Sequence, residues 1–295
     1  MTGTRRVTGL PEHLQGLDRP LVVGVVNVTP DSFSDGGEFL EPAAAVGHGL
    51  ALLADGADLL DVGGESTRPG ADRVPEDEER RRVLPFVREL AGAGAVVSID
   101  STRATTADAA LAAGAVLVND VSGGLADPGM ARLVAGARVP YVVMHSRGPS
   151  VDMQARAVYD DVVADVRAEL GQRMDELVAA GVDPAQIVLD PGIGFAKNAD
   201  HNWVLLSHLD ALAVLGRPLL IGVSRKAFLG RLLAGPDGSP RPVDRRDAAS
   251  AAFAALLADA GIWGLRSHEV AATADAVRVG AAVRSARVGA TGGDR

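Results

Sequence analysis

The sequence predicts an α/β protein: a single (β/α)8 barrel of the TIM type, with active-site loops at its C-terminal rim. Three observations lead there. Eight short aliphatic runs recur along the 295 residues, and Ala/Leu-rich stretches with helical spacing separate them. The runs lack hydrophobic/polar alternation, as strands buried on both faces require. A chain of this length also suits one such barrel, which commonly needs about 250 residues. The expected organisation is an N-terminal arm over 1–20, the barrel over 21–285 and a C-terminal tail over 286–295.

Taken in order, the first run is LVVGVVNVT at 21–29. No GxGxxG follows it, and a doubly wound open sheet, the runner-up architecture, would carry that fingerprint there. The next runs lie at 59–65, 95–101, 116–121, 141–145, 187–192, 219–225 and 262–268. Helical spacing is clearest at 43–55, 75–91, 105–113, 159–180 and 245–260. Helix ends are signalled by Gly56, Gly114, Gly181 and Gly261, each leading into the next run. Irregular stretches after runs one, two, five and seven (29–42, 66–75, 146–158 and 235–243) fit loops over a barrel mouth.

Composition narrows the function classes. Hydrophobic residues make 47% of the chain but aromatics only 3%, so the core is aliphatic. The net charge of −9 argues against a nucleic-acid or anionic-membrane surface. The absence of cysteine removes disulfides, thiolate metal sites and cysteine nucleophiles. No apolar run approaches about 20 residues, and the start has no signal-like stretch, so a soluble cytoplasmic protein is expected. There is no GK pair for a P-loop and no HExxH zinc site. Gly192-Ile193-Gly194 opens a GxG, but Lys197 stands at the third glycine position, so the stretch reads as a loop. Only two of the 29 basic residues are lysines, Lys197 and Lys226. Where arginine has replaced lysine so widely, a lysine that remains points to a need for its compact ammonium.

The C-terminal tips of the runs carry the chemistry. They hold Asn27, Asp100, Asn119-Asp120, His145, Asp190, Ser224-Arg225-Lys226 and Arg266-Ser267-His268. Polar residues also mark where any strand leaves the core, but in a barrel this rim is where active sites lie. Asp100, Asn119 and Asp190 offer the groups that bind a flat heterocycle with adjacent N–H donors, such as a 2-amino-pyrimidinone edge. Arg266 and His268, two apart and so on one side of a strand, make with Arg68 a cationic patch for a di-anionic or pyrophosphate group. Asn27 is a neutral oxygen ligand of the type Mg²⁺ accepts alongside water and phosphate. No Ser/His/acid triad stands out.

Together these words resemble a family. Residues 27–37 (NVTPDSFSDGG) and 63–71 (GGESTRPGA) are similar to the two long signatures of the dihydropteroate synthases. The words at 98–101, 118–121, 190–197, 224–226 and 266–268 follow in that family's order, so the resemblance covers roughly 21–279. Ala196-Lys197 and residues 233–238 look like the actinobacterial branch. The resemblance implies a transferase of folate biosynthesis, usually a homodimer and the target of sulfonamides. It would join 6-hydroxymethyl-7,8-dihydropterin diphosphate to p-aminobenzoate and release pyrophosphate, with Mg²⁺ as cofactor. Residue by residue, it places Asp100, Asn119, Asp190 and Lys226 at the pterin, and Asn27 at the metal and pyrophosphate. Thr67, Arg68, Arg266, Ser267 and His268 fall at the pyrophosphate; Phe33, Pro69, Phe195, Lys226 and Ala227 fall at the p-aminobenzoate pocket.

Three positions depart from the family pattern: Ala227 where many members have Ser, Glu269 where Asp is commoner, and Ser267 where Val is frequent. A helix beginning at Ala227 would offer its free N–H groups to the p-aminobenzoate carboxylate. Two alternatives share the pterin-edge groups. One is a barrel that transfers a methyl group from methyltetrahydrofolate, which should lack both long signatures. The other is a non-catalytic pterin-binding paralogue, which should have lost Asn27, Lys226 or a loop arginine.

Overall fold

Residues 6–28, 42–66, 73–148 and 152–292 are described by a computed structural model. The aliphatic runs become eight parallel strands: β1 Leu21–Asn27, β2 Leu59–Gly63, β3 Val97–Asp100, β4 Leu117–Asp120, β5 Tyr141–Met144, β6 Ile187–Asp190, β7 Leu220–Gly222 and β8 Gly264–Ser267. Neighbours in sequence are neighbours in the sheet, and β1 also pairs with β8. A parallel bridge between Leu189 and Leu219 joins β6 to β7 and closes the barrel. The expected helices appear as α1 Pro42–Ala54, α2 Glu76–Gly92, α3 Ala104–Ala112, α5 Val162–Ala179 and α9 Asp247–Ala260. Between and after them lie α4 Gly129–Ala137, α6 Ala199–Ser207, α7 Leu209–Ala213, α8 Ala227–Leu232 and α10 Val270–Gly292. Gly56, Gly114, Gly181 and Gly261 all have positive φ, the left-handed turn by which a helix hands over to a strand.

Alternating side chains divide the apolar residues into two cores. Leu60, Val62, Ile99, Val118, Val143 and Leu189 point outward and pack beneath the helices. Val23, Leu59, Leu117, Val142, Val188 and Leu220 point inward, and there they meet Val7, Leu10 and Leu14. The arm is therefore a plug in the bottom of the barrel, tied by Thr8 N donating to Ala185 O at 2.9 Å. The far end also differs from expectation. Helix α10 runs on to Gly292, through the stretch expected as a separate tail. That stretch contains no proline to stop a helix, and Arg287 within it pairs with Asp259 on α9. With the bottom plugged, the C-terminal mouth is the end that remains for chemistry.

Candidate active site

Register sets the level of the polar residues. Asn27 pairs with Gly63, Gly63 with Asp100, and Asp100 with Asn119, so the ends of β1 to β4 form one rung. Arg266 faces them from β8, where its neighbour across β7 is Gly222. A Cβ at Gly222 would stand 3.1 Å from Arg266 Nη1, so the glycine leaves the guanidinium its room.

The expected acid and cation pockets are interleaved. Arg266 donates to Asp61 Oδ2 at 3.2 Å, to Asp190 Oδ2 at 3.0 Å and to Asn119 Oδ1 at 3.0 Å. Asn119 Nδ2 also donates to Asp61 Oδ2 at 2.8 Å, and Asp190 Oδ1 accepts from Gly192 N at 2.7 Å. Arg266, expected at a diphosphate, is thus seated among the groups expected at the heterocycle. Burial works against its charge, but Asp190, Asp61 and Asp100 together raise its pKa further. Burial, reinforced by Asp61, pushes the Asp100 carboxyl well above the usual carboxylate range, which favours its neutral form. Asp61 joins this network from the middle of β2, away from the strand tips that the sequence marks. Its signal was an acid inside an inward-facing apolar run, and its Oδ1 has no partner among the described residues.

At the neighbouring strand ends, Lys226 Nζ donates to Ile193 O at 2.7 Å and lies 4.4 Å from the centre of the Phe195 ring. Burial draws its pKa down to about 8 against the pull of Asp190. Ala227 is exposed and is the first residue of α8, as the sequence suggested. Lys197, read as part of a plain loop, is buried against His145: its Nζ lies 2.9 Å from His145 Nδ1.

Other strand-tip residues turn elsewhere. The Ser267 hydroxyl, expected at the pyrophosphate, donates to Glu269 O at 2.7 Å and contacts Thr273 Oγ1 at 2.8 Å, tying β8 to the start of α10. Asp120 accepts from Ser122, Gly124 and Tyr141 and so organises the turn after β4. Arg225 pairs with Asp247. His268 lies one residue past β8, where its backbone N donates to Ser224 Oγ at 3.1 Å. Asn27 ends β1 half-buried on the same rung as Asp100. Phe33, Thr67, Arg68 and Pro69 lie outside the described residues.

A barrel whose mouth gathers acids and an amide around the Arg266 guanidinium fits the pterin-binding enzymes, and the profile of the family described as pterin binding enzyme matches residues 23–268. The chain is 57% identical to dihydropteroate synthase of Mycobacterium leprae over 259 residues, which cover 88% of this chain and 91% of that one. Its fold is similar to that of Xanthomonas albilineans dihydropteroate synthase solved with 4-aminobenzoic acid, at a TM-score of 0.84 and 46% identity, covering 92% of this chain and 95% of that one. The Yersinia pestis dihydropteroate synthase, solved as a sulfonamide drug complex, gives a TM-score of 0.86 at 38% identity over 94% and 99% of the two chains. This chain belongs to the dihydropteroate synthase family.

Proposed function

We propose that this chain joins 6-hydroxymethyl-7,8-dihydropterin diphosphate to p-aminobenzoate, giving 7,8-dihydropteroate and pyrophosphate. One observation carries the reading: Asp190 Oδ2 accepts from one end nitrogen of the Arg266 guanidinium, Nη1, and Asn119 Oδ1 from the other, Nη2. A pterin's 2-amino-pyrimidinone edge is itself a guanidine-type array of N–H donors, so these acceptors are already set at the spacing it needs. Breaking the C–O bond leaves positive charge spread into the dihydropterin ring, and Asp190 and Asp61 stabilise that charge. The acceptor amine is already neutral at pH 7, so the reaction needs no strong base, and the described residues of the mouth offer no nucleophile–base pair for one. Lys226 and Phe195 form the wall proposed for p-aminobenzoate and for the sulfonamides that mimic it.

Mg²⁺ fits this arrangement. Asn27 presents a neutral oxygen at the rung beside the proposed diphosphate. Among the described residues no three acids or histidines converge to cage an ion. Asn27 would therefore share the ion with phosphate oxygens and water. Bound there, Mg²⁺ would neutralise charge on the leaving diphosphate. We also propose a cytoplasmic homodimer. Leu256 on α9 and Val279 and Val283 on α10 are exposed on two helices that pack together, an aliphatic surface suited to a second copy. No helix among the described residues is long and apolar enough to cross a membrane. The test is pyrophosphate release from the pterin diphosphate, with and without p-aminobenzoate and with excess chelator. Release that depends on p-aminobenzoate and stops with chelator is expected; release indifferent to p-aminobenzoate refutes the condensation.

A further inference from the structure

Between β6 and α6 the chain turns through Gly192–Ala196, and every carbonyl of that turn accepts from a side chain. Lys197 Nζ donates to Gly192 O at 3.1 Å and to Phe195 O at 3.0 Å. Lys226 Nζ donates to Ile193 O at 2.7 Å, Gln154 Nε2 to Gly194 O at 3.0 Å and the Tyr159 hydroxyl to Ala196 O at 3.0 Å. The turn strains the backbone at one residue. Gly192, Gly194 and Ala196 have φ of 66°, 83° and 49°, and Ala196 bears a Cβ in that left-handed region.

Lys197 is the centre of this bracing. It is 2% exposed, and no carboxylate among the described residues bonds to its Nζ. The three protons of its ammonium have three acceptors: Gly192 O, Phe195 O and His145 Nδ1, the last at 2.9 Å. His145 Nε2 lies 2.9 Å from Glu169 Oε2, and Arg147 holds the same carboxylate. A neutral imidazole with its proton on Nε2 then donates to Glu169 and leaves Nδ1 free to accept from Lys197. Burying an ammonium on neutral acceptors is costly, so the site is built for something other than stability. What it holds in place is Phe195, whose ring lies against Lys226 Nζ. Both lysines of the chain brace this one turn.

We propose that Lys197 is a positioning residue for the second substrate: its ammonium holds the 192–196 turn so that Phe195 and Lys226 form one wall for the aromatic amine. The proposal rests on the reading of that wall as the p-aminobenzoate pocket. Its chemistry adds a pH dependence. Burial draws Lys197 down to about 7, the acids Asp190 and Glu169 opposing and the cations Lys226 and Arg147 assisting. Three of the groups around it titrate far from that pH: His145 is drawn down to about 4 by burial, Tyr159 is pushed up to about 12 by burial, and Glu169 is held at about 2 by its bond to His145. Lys226, at about 8, is the one neighbour that titrates close by.

The experiment is steady-state kinetics on the full chain with each substrate varied in turn. Lys197→Met, which removes the three N–H donors, should raise KM for p-aminobenzoate tenfold or more and leave KM for the pterin diphosphate within about threefold. In the wild type, KM for p-aminobenzoate should climb as pH rises through 7, since the substrate keeps one charge state there. In Lys197→Met that limb should vanish while the one due to Lys226 remains. A second pair guards against a variant that does not fold. His145→Asn keeps an acceptor where Nδ1 stood and should raise KM for p-aminobenzoate far less than His145→Leu, which removes it. Equal rises in both KM values, or no rise in either Lys197→Met or His145→Leu, would overturn the positioning role. Absence of wild-type turnover would instead overturn the functional reading beneath it.

Discussion

Replacing Asp190 by Asn removes one charge from a carboxylate bonded through both of its oxygens. Asp190 is 2% exposed, with Oδ1 on Gly192 N at 2.7 Å and Oδ2 on Arg266 Nη1 at 3.0 Å. The amide has one oxygen to serve both donors. If it keeps Gly192, its NH₂ faces the guanidinium, a donor against a donor. The pterin edge meets the same mismatch. A hydrogen bond to a charged group contributes about 1.5–3 kcal/mol, and an unsatisfied buried donor costs about 1–3 kcal/mol. Allowing for overlap between the two, the transition state loses about 2–4 kcal/mol. At 1.36 kcal/mol per tenfold, that is roughly 30- to 1000-fold in kcat/KM for the pterin diphosphate. The assay is pyrophosphate release under limiting pterin diphosphate, normalised to folded protein by a thermal melt. A variant within about threefold of wild type would remove Asp190 from the site.

Three further outcomes are expected. Asp61→Ala strips Arg266 and Asn119 of a shared acceptor; urea melts should show a loss of about 3–5 kcal/mol, as when one partner of a buried ion pair is removed, with kcat/KM falling too. His145 titrates at about 4 in the fold against 6.5 unfolded, so its contribution is present above pH 6.5 and is lost as pH falls toward 4. That window is worth about 3 kcal/mol, and urea melts of His145→Asn at pH 7, 5.5 and 4.5 should show a flatter decline than wild type. Ala227 opens α8, so its free N–H groups are expected to hold the p-aminobenzoate carboxylate. Ala227→Ser should tighten p-aminobenzoate by no more than about tenfold, and p-aminobenzamide should show a clearly higher KM than the acid. Equal KM values for acid and amide would place the carboxylate elsewhere.

The barrel itself was legible from local pattern. Buried parallel strands are apolar along most of their length, and a helix that hands over to a strand commonly does so through a glycine at its left-handed turn. Both constraints act over a few residues, so the eight runs and the glycines at 56, 114, 181 and 261 declare themselves. Asn27, Asp100, Asn119, Asp190 and Arg266 were legible for the same reason, since a polar residue closing such a run lies at the rim. The rarity of lysine even singled out Lys197 and Lys226, and both brace one turn.

Tertiary structure alone decided how these groups meet. Arg266 and Asp61 are 205 residues apart, and only barrel closure brings them to 3.2 Å and turns two expected pockets into one interleaved network. Asp120 and Ser267 share the rim with Asn119 and Arg266, yet their hydroxyl and carboxylate serve turns. A one-residue step along a strand reverses the direction of a side chain, so position near a strand tip does not by itself say which way it faces. The arm's role as a plug and the burial of Lys197 on His145 belong to the same class. Composition and spacing determine which elements form and where the chemistry gathers, because those follow from local geometry. Which acid pairs with which cation, and which lysine is stripped of water, follows from long-range closure and was decided only when the eighth strand met the first.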